Sequence, residues 1–196
     1  MTTTAVFTGP AGAGSFGDDA AFLKKYTEVI LLSDKSGLAQ VAIAPAYQGR
    51  VMTSTAGGES GQSFGWINRE LIASGKLQPH INAFGGEERF WLGPEGGQFS
   101  IYFAKGAKFE FADWQTPAPI DTMPYKMVKQ SRNKAVFAAE FALTNYSGTV
   151  FDVAVNREVR LLTPAAAWKK LGVAASKEVS LVAFESDNKI TNTGKN

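Results

Sequence analysis

The eleven residues from Phe151 to Leu161 limit the fold most sharply. Phe151, Val153, Val155, Val159 and Leu161 alternate with Asp152, Ala154, Asn156, Glu158 and Arg160. A period of two places one face of an extended strand in a core and the other in water. Arg157 breaks the pattern, because a guanidinium stands where the alternation calls for an apolar side chain. A strand this long with one wet face belongs to an antiparallel sheet, and its dry face needs a second layer.

Similar alternation marks much of the chain. Val29–Leu32, Leu38–Ala44 and Arg50–Thr55 read as early strands, the second ended by Pro45 and followed by a turn at Ala46–Gly49. From Gln98 onward Phe99, Ile101 and Phe103 alternate with Ser100 and Tyr102, and Phe109 and Phe111 with Lys108 and Glu110. Ala135–Thr144, Glu178–Phe184 and Asn188–Thr191 follow, the last two framing a turn at Glu185–Asp187. The pattern predicts about nine to eleven strands. Three short helices interrupt them. Asp19–Tyr26 follows an N-cap at Asp18, Trp66–Ala73 has helical spacing and a stop at Gly75, and Ala165–Leu171 lies between Thr163-Pro164 and Gly172. Gly57–Gly65, with four glycines, reads as a loop. No regular strand-helix-strand alternation occurs, so the expected class is all-β, an antiparallel β-sandwich with three short loop helices. Residues 1–17 read as a flexible Gly-rich segment and residues 18–196 as one sandwich domain.

Composition narrows the function. Twenty basic and 18 acidic residues leave a net charge of +2, too small for a field that gathers nucleic acid or acidic lipid. With no cysteine, disulfides, thiolate metal sites and cysteine nucleophiles are excluded. No apolar run approaches the roughly 20 residues of a membrane span. The N-terminus lacks the basic and apolar regions of a secretory signal, which makes cytoplasmic the default compartment unless a leader is missing. His80 is the sole histidine; its ordinary pKa suits acid-base work, but a surface or loop role is the simpler reading. No ligand spacing marks a metal site, and no cofactor is expected.

The segment Gly85–Gly97, GGEERFWLGPEGG, concentrates chemistry. Glu87, Glu88 and Glu95 stand with Arg89 and Trp91 between glycine pairs that permit tight turns. Carboxylates and a guanidinium bond sugar hydroxyls, and an aromatic face takes the apolar side of a sugar ring. Arg89 also offers a two-pronged contact to a sugar carboxylate. The same residues equally suit a structural loop, with Phe90 and Trp91 in a core and an Arg–Glu pair satisfying itself.

Val41-Ala42-Ile43-Ala44-Pro45, Gly49-Arg50-Val51 and GGEERFWLGPEGGQFSIYF together resemble the opening half of the galactose-mutarotase-like superfamily, in an uncharacterised bacterial branch with an FGGEERFWLGPEGG signature. The resemblance runs over roughly residues 38–196. It implies a two-layer super-sandwich that binds a small saccharide, with Arg89 as the foremost substrate contact and Arg50 a weaker one. It also implies that the catalytic glutamate and histidine of an aldose 1-epimerase belong to a later part of such a chain, so no catalytic residue is assigned here. The end, Lys189 to Gly194, resembles the turn that precedes them, and the chain reads as the N-terminal portion of a longer sandwich. Three functions follow as expectations: a carbohydrate-binding mutarotase-like domain, an active aldose 1-epimerase using Glu87, Glu88 or Glu95, and a non-catalytic scaffold.

Overall fold

A computed structural model describes residues 14–195. Among them lie two antiparallel sheets, one ordered β1-β2-β3 and one ordered β4-β5-β6-β7. The first comprises β1 (Ile30–Ser33), β2 (Gln40–Ala44) and β3 (Arg50–Thr55). The second comprises β4 (Lys126–Ser131), β5 (Lys134–Thr144), β6 (Val150–Leu161) and β7 (Phe184–Asn192). Helices α1 (Phe16–Tyr26), α2 (Arg69–Ser74) and α3 (Pro164–Leu171) complete the regular structure. The fold is an all-β sandwich with a thin helical layer.

The sheets meet through the predicted alternation. Val41, Ile43 and Val51 of the first pack with Phe137, Val155, Val159 and Leu161 of the second. On the other face of the first sheet, Ala44 and Met52 join Leu23 of α1 and Leu71 and Ile72 of α2. All six positions of β3 are therefore buried, the polar ones included. The second sheet has one dry face only, which is why β6 alternates so cleanly.

The structure corrects several sequence expectations. Among the described residues there are seven strands, fewer than expected. Residues 98–125 hold no strand at all; their only regular pieces are short 3-10 turns, Phe111–Asp113 and Ala118–Ile120. The aromatic residues here pack ring on ring: Tyr102 stacks on Trp114 at 4.3 Å, and Phe103 meets Trp114 edge-on at 5.6 Å. Their alternation reflects that cluster and not a pleated sheet. Glu178–Phe184 is also irregular before Phe184, and Glu185–Asp187 lies inside β7 instead of forming a turn. Glu185 pairs there with Arg160 directly opposite on β6, which favours continued extension. β4 escaped the sequence reading because nearly all of it is exposed. It forms through a two-residue hairpin, Ser131 opposite Lys134.

Two helices begin elsewhere than expected. Ser15, not Asp18, caps α1; the Asp18 amide donates to Ser15 Oγ at 3.1 Å while the Ser15 amide donates to Asp18 Oδ2 at 3.2 Å. Phe16, inside the segment read as flexible, is fully buried, and residues 1–13 of that segment lie outside the described residues. Asn68 caps α2, which leaves Trp66 outside it and 63% exposed. The third helix has the expected Thr163 cap, N1 proline and Gly172 stop.

Candidate functional site

Gly85 and Gly86 deliver the motif to the first sheet. Both have strongly positive φ, 91° and 110°, and a Cβ on either would collide with backbone, that of Trp66 or Val51. The chain then runs beside β3: the Glu87 amide donates to the Val51 carbonyl at 2.8 Å, and the Val51 amide to the Glu88 carbonyl at 3.0 Å. Glu87 and Glu88 thus extend the first sheet.

From there Glu88 crosses to the second sheet. Arg157 Nη1 donates to Glu88 Oε1 at 3.1 Å, and Nη2 donates to Oε2. The two-pronged geometry fixes the plane of the carboxylate. Arg157 Nη1 also donates to Asn188 Oδ1 at 2.7 Å, Arg157 Nε to the Gly49 carbonyl at 3.2 Å, and Ser186 Oγ to Glu88 Oε1 at 2.9 Å. The Arg157 side chain is wholly buried, whereas that of Glu88 is 26% exposed. A buried cation therefore holds a carboxylate whose outer edge meets solvent, flanked by the Ser186 hydroxyl and exposed Asn188. Glu87, its neighbour, accepts from Ser54 Oγ at 2.9 Å. Partial removal from water raises the Glu87 pKa above the ordinary value, opposed by the Ser54 hydrogen bonds.

The other sequence-flagged residues form a separate arrangement. Arg89 Nη2 donates to the Ile120 carbonyl and lies 3.5 Å from Asp121 Oδ1. Burial lowers its pKa, and Asp121 opposes the shift. Its guanidinium covers the Trp91 ring at 4.2 Å, a cation–π contact. Trp91 Nε1 donates to Glu95 Oε1 at 2.9 Å, and its ring meets Tyr102 at 5.2 Å. Trp91 is thus engaged by Arg89, Glu95 and Tyr102. Asp121 in turn accepts from the Asn82 amide at 3.0 Å and the Asn82 Nδ2 at 2.8 Å. Arg89 is tied by this chain of contacts to the loop before the motif.

Arg50 stands apart, in the interior. It is 2% exposed, donates from Nη1 to the Gly85 carbonyl at 2.9 Å, and lies 5.8 Å from the Phe84 ring centre. Its Nε and Nη2 have no hydrogen-bond partner among the described residues. Burial, with nearby Arg89 adding repulsion, pushes its pKa down to about 10. Arg50 supports the Gly85-Gly86 turn from beneath, with almost no surface left for a substrate.

His80 lies on the loop before the motif, with φ of 69° and Nδ1 2.7 Å from the Trp114 carbonyl. Among the described residues no group of three His, Asp or Glu side chains is placed to hold a metal ion.

Sequence reasoning named Glu87 and Glu88 but not the side chains that surround them. Arg157 carried a signal, a charge on an apolar face. Ser54, Ser186 and Asn188 carried none, since ordinary polar residues gain meaning only from register.

No curated protein and no solved structure matches the chain. A family model described as a family of unknown function, DUF6786, matches residues 14–196. That match takes in both sheets, the glycine-bounded motif and Arg157, and the chain belongs to that family.

Proposed function

We propose that the protein is a carbohydrate-binding, mutarotase-like domain, with Glu88 at the centre of its recognition surface. One observation carries this reading: a wholly buried Arg157 clamps a partly exposed Glu88 beside Ser186 and Asn188. Sugars are recognised by such groups, because a fixed carboxylate accepts from adjacent hydroxyls and an amide or hydroxyl serves as donor or acceptor. Preorganisation by Arg157 means that little side-chain order is lost on binding. The resemblance of the 85–97 segment to mutarotase-like chains points the same way. In this reading Glu87 adds a second carboxylate, and Arg89, Trp91 and Glu95 form a separate arrangement that holds the rest of the motif.

The test is calorimetric titration with a panel of neutral and acidic monosaccharides, using the parent and the Asn188→Ala and Glu87→Gln variants. A millimolar or tighter complex, weakened about tenfold by loss of the Asn188 amide, is expected. If no saccharide binds, the domain is a scaffold instead; if both variants bind as the parent does, Glu88 is not the recognition surface.

The raised pKa of Glu87 favours a second reading, an active aldose 1-epimerase. A carboxyl whose pKa is raised by burial is suited to general-acid work. Polarimetry on α-glucose and α-galactose separates the two, since no acceleration over buffer removes the epimerase.

A further inference from the structure

A surface pocket of about 580 Å³ lies against α2 and the loop that follows it, with His80, Glu70, Gln78, Lys76 and Phe111 among its walls. That volume is within the range of pockets that take small molecules. It shares no lining residue with the Glu88 surface. The walls combine a carboxylate, an ammonium, an amide and an imidazole with the ring of Phe111, which is 67% exposed.

His80 is held there with unusual firmness. Its φ of 69° lies in the left-handed region, which non-glycine residues adopt when surrounding contacts impose it. Two contacts do so: the Thr116 amide donates to the His80 carbonyl at 2.8 Å, and His80 Nδ1 lies 2.7 Å from the Trp114 carbonyl. Gln115 Nε2 also lies 3.0 Å from Nδ1, so both polar neighbours of the ring meet it at that nitrogen. Nε2 is the nitrogen left for a ligand, and among the described residues no group bonds it. The ring is also steadied by Phe111, 5.0 Å away between centres. The loop itself is anchored two residues on, where Asn82 donates to Asp121 and accepts the Gln78 amide at 2.7 Å.

We propose that this pocket is a second ligand site, for a neutral polyhydroxylated molecule of monosaccharide size. Nε2 accepts from a hydroxyl in one tautomer and donates to one in the other, and a hydroxyl satisfies both. Glu70, Gln78 and Lys76 supply the remaining acceptors and donors, and the exposed Phe111 ring offers an apolar face for the C–H side of the sugar. The inference goes beyond the Glu88 reading and stands without it.

The sole histidine makes the test direct, because one imidazole gives one set of signals. Long-range proton–nitrogen spectra are recorded while methyl α-D-glucoside, galactoside and mannoside are added separately. The expected result is a saturable shift of the His80 Nε2 and Hε1 signals with at least one glycoside. In calorimetry, Phe111→Ala and His80→Asn should each weaken that binding about tenfold or more, asparagine being a residue that tolerates the left-handed backbone. Asn188→Ala should leave the His80 response intact. The proposal is overturned if no glycoside moves the His80 signals saturably, if both pocket variants bind as the parent does, or if Asn188→Ala abolishes the His80 response.

Discussion

Arg157 is the residue on which the architecture turns. A guanidinium with no exposed side-chain surface is tolerable only because Glu88, Asn188 and the Gly49 carbonyl meet its donors. Glu88→Ala leaves that charge buried and uncompensated, and should cost about 3–5 kcal/mol, read from urea unfolding. Replacing both partners, as Glu88→Leu with Arg157→Met, should recover most of the loss. Glu87 behaves differently. Its folded pKa is raised above 4.5, so the folded state holds the proton more tightly than the unfolded one. Its contribution to stability is then fully present below the unfolded pKa and declines as pH rises through the folded value. Glu87→Gln should flatten that part of the melting-temperature profile between pH 4 and 7, with a higher melting temperature than the parent at pH 7. The Arg157 anomaly was legible as a break in alternation. Its partner was not, because Glu88 reaches it only through the register of two separate strands.

At the level of elements, the glycine pairs that flank the motif prove unequal. Gly85 and Gly86 combine positive φ with a backbone approach that excludes any side chain, whereas Gly96 has open space around its α-carbon. Gly85→Ala should therefore destabilise by roughly 3 kcal/mol, whereas Gly96→Ala should leave stability unchanged or raise it by a few tenths. Chemical denaturation of the two variants side by side gives the comparison. Sequence alone could mark both pairs as turns but could not reveal which passes against another strand. The same limit explains residues 98–125. Period-two aromatic spacing was real there, yet rings such as Tyr102 and Trp114 satisfy one another without a sheet. β6, β5 and β3 were legible because burial on a dry face, or on both faces, left a continuous pattern of residue types.

At the scale of the whole molecule, the two sheets differ in how firmly they are held. The first is covered on both faces, by α1 and α2 on one side and the second sheet on the other. The second has one exposed face and ends at β7, whose last six residues are exposed. Amide hydrogen exchange should be slowest in β2 and β3 and fastest in the last turn of sequence in β7. Equal protection of the two would contradict this layering. The proposed recognition surface sits where these regions meet: Glu88 belongs to the well-held sheet, while Ser186 and Asn188 come from the looser edge. A ligand bridging them would tie the edge down, so saccharide binding should slow exchange in β7 more than elsewhere.

Chemical-shift mapping of the Asn188 side-chain amide and the Ser186 and Glu88 backbone amides during saccharide titration tests whether Glu88, as clamped by Arg157, is a sugar-recognition group. These signals should move together and saturate with one binding constant. Signals that stay fixed while every saccharide is raised to high millimolar concentration would contradict that role.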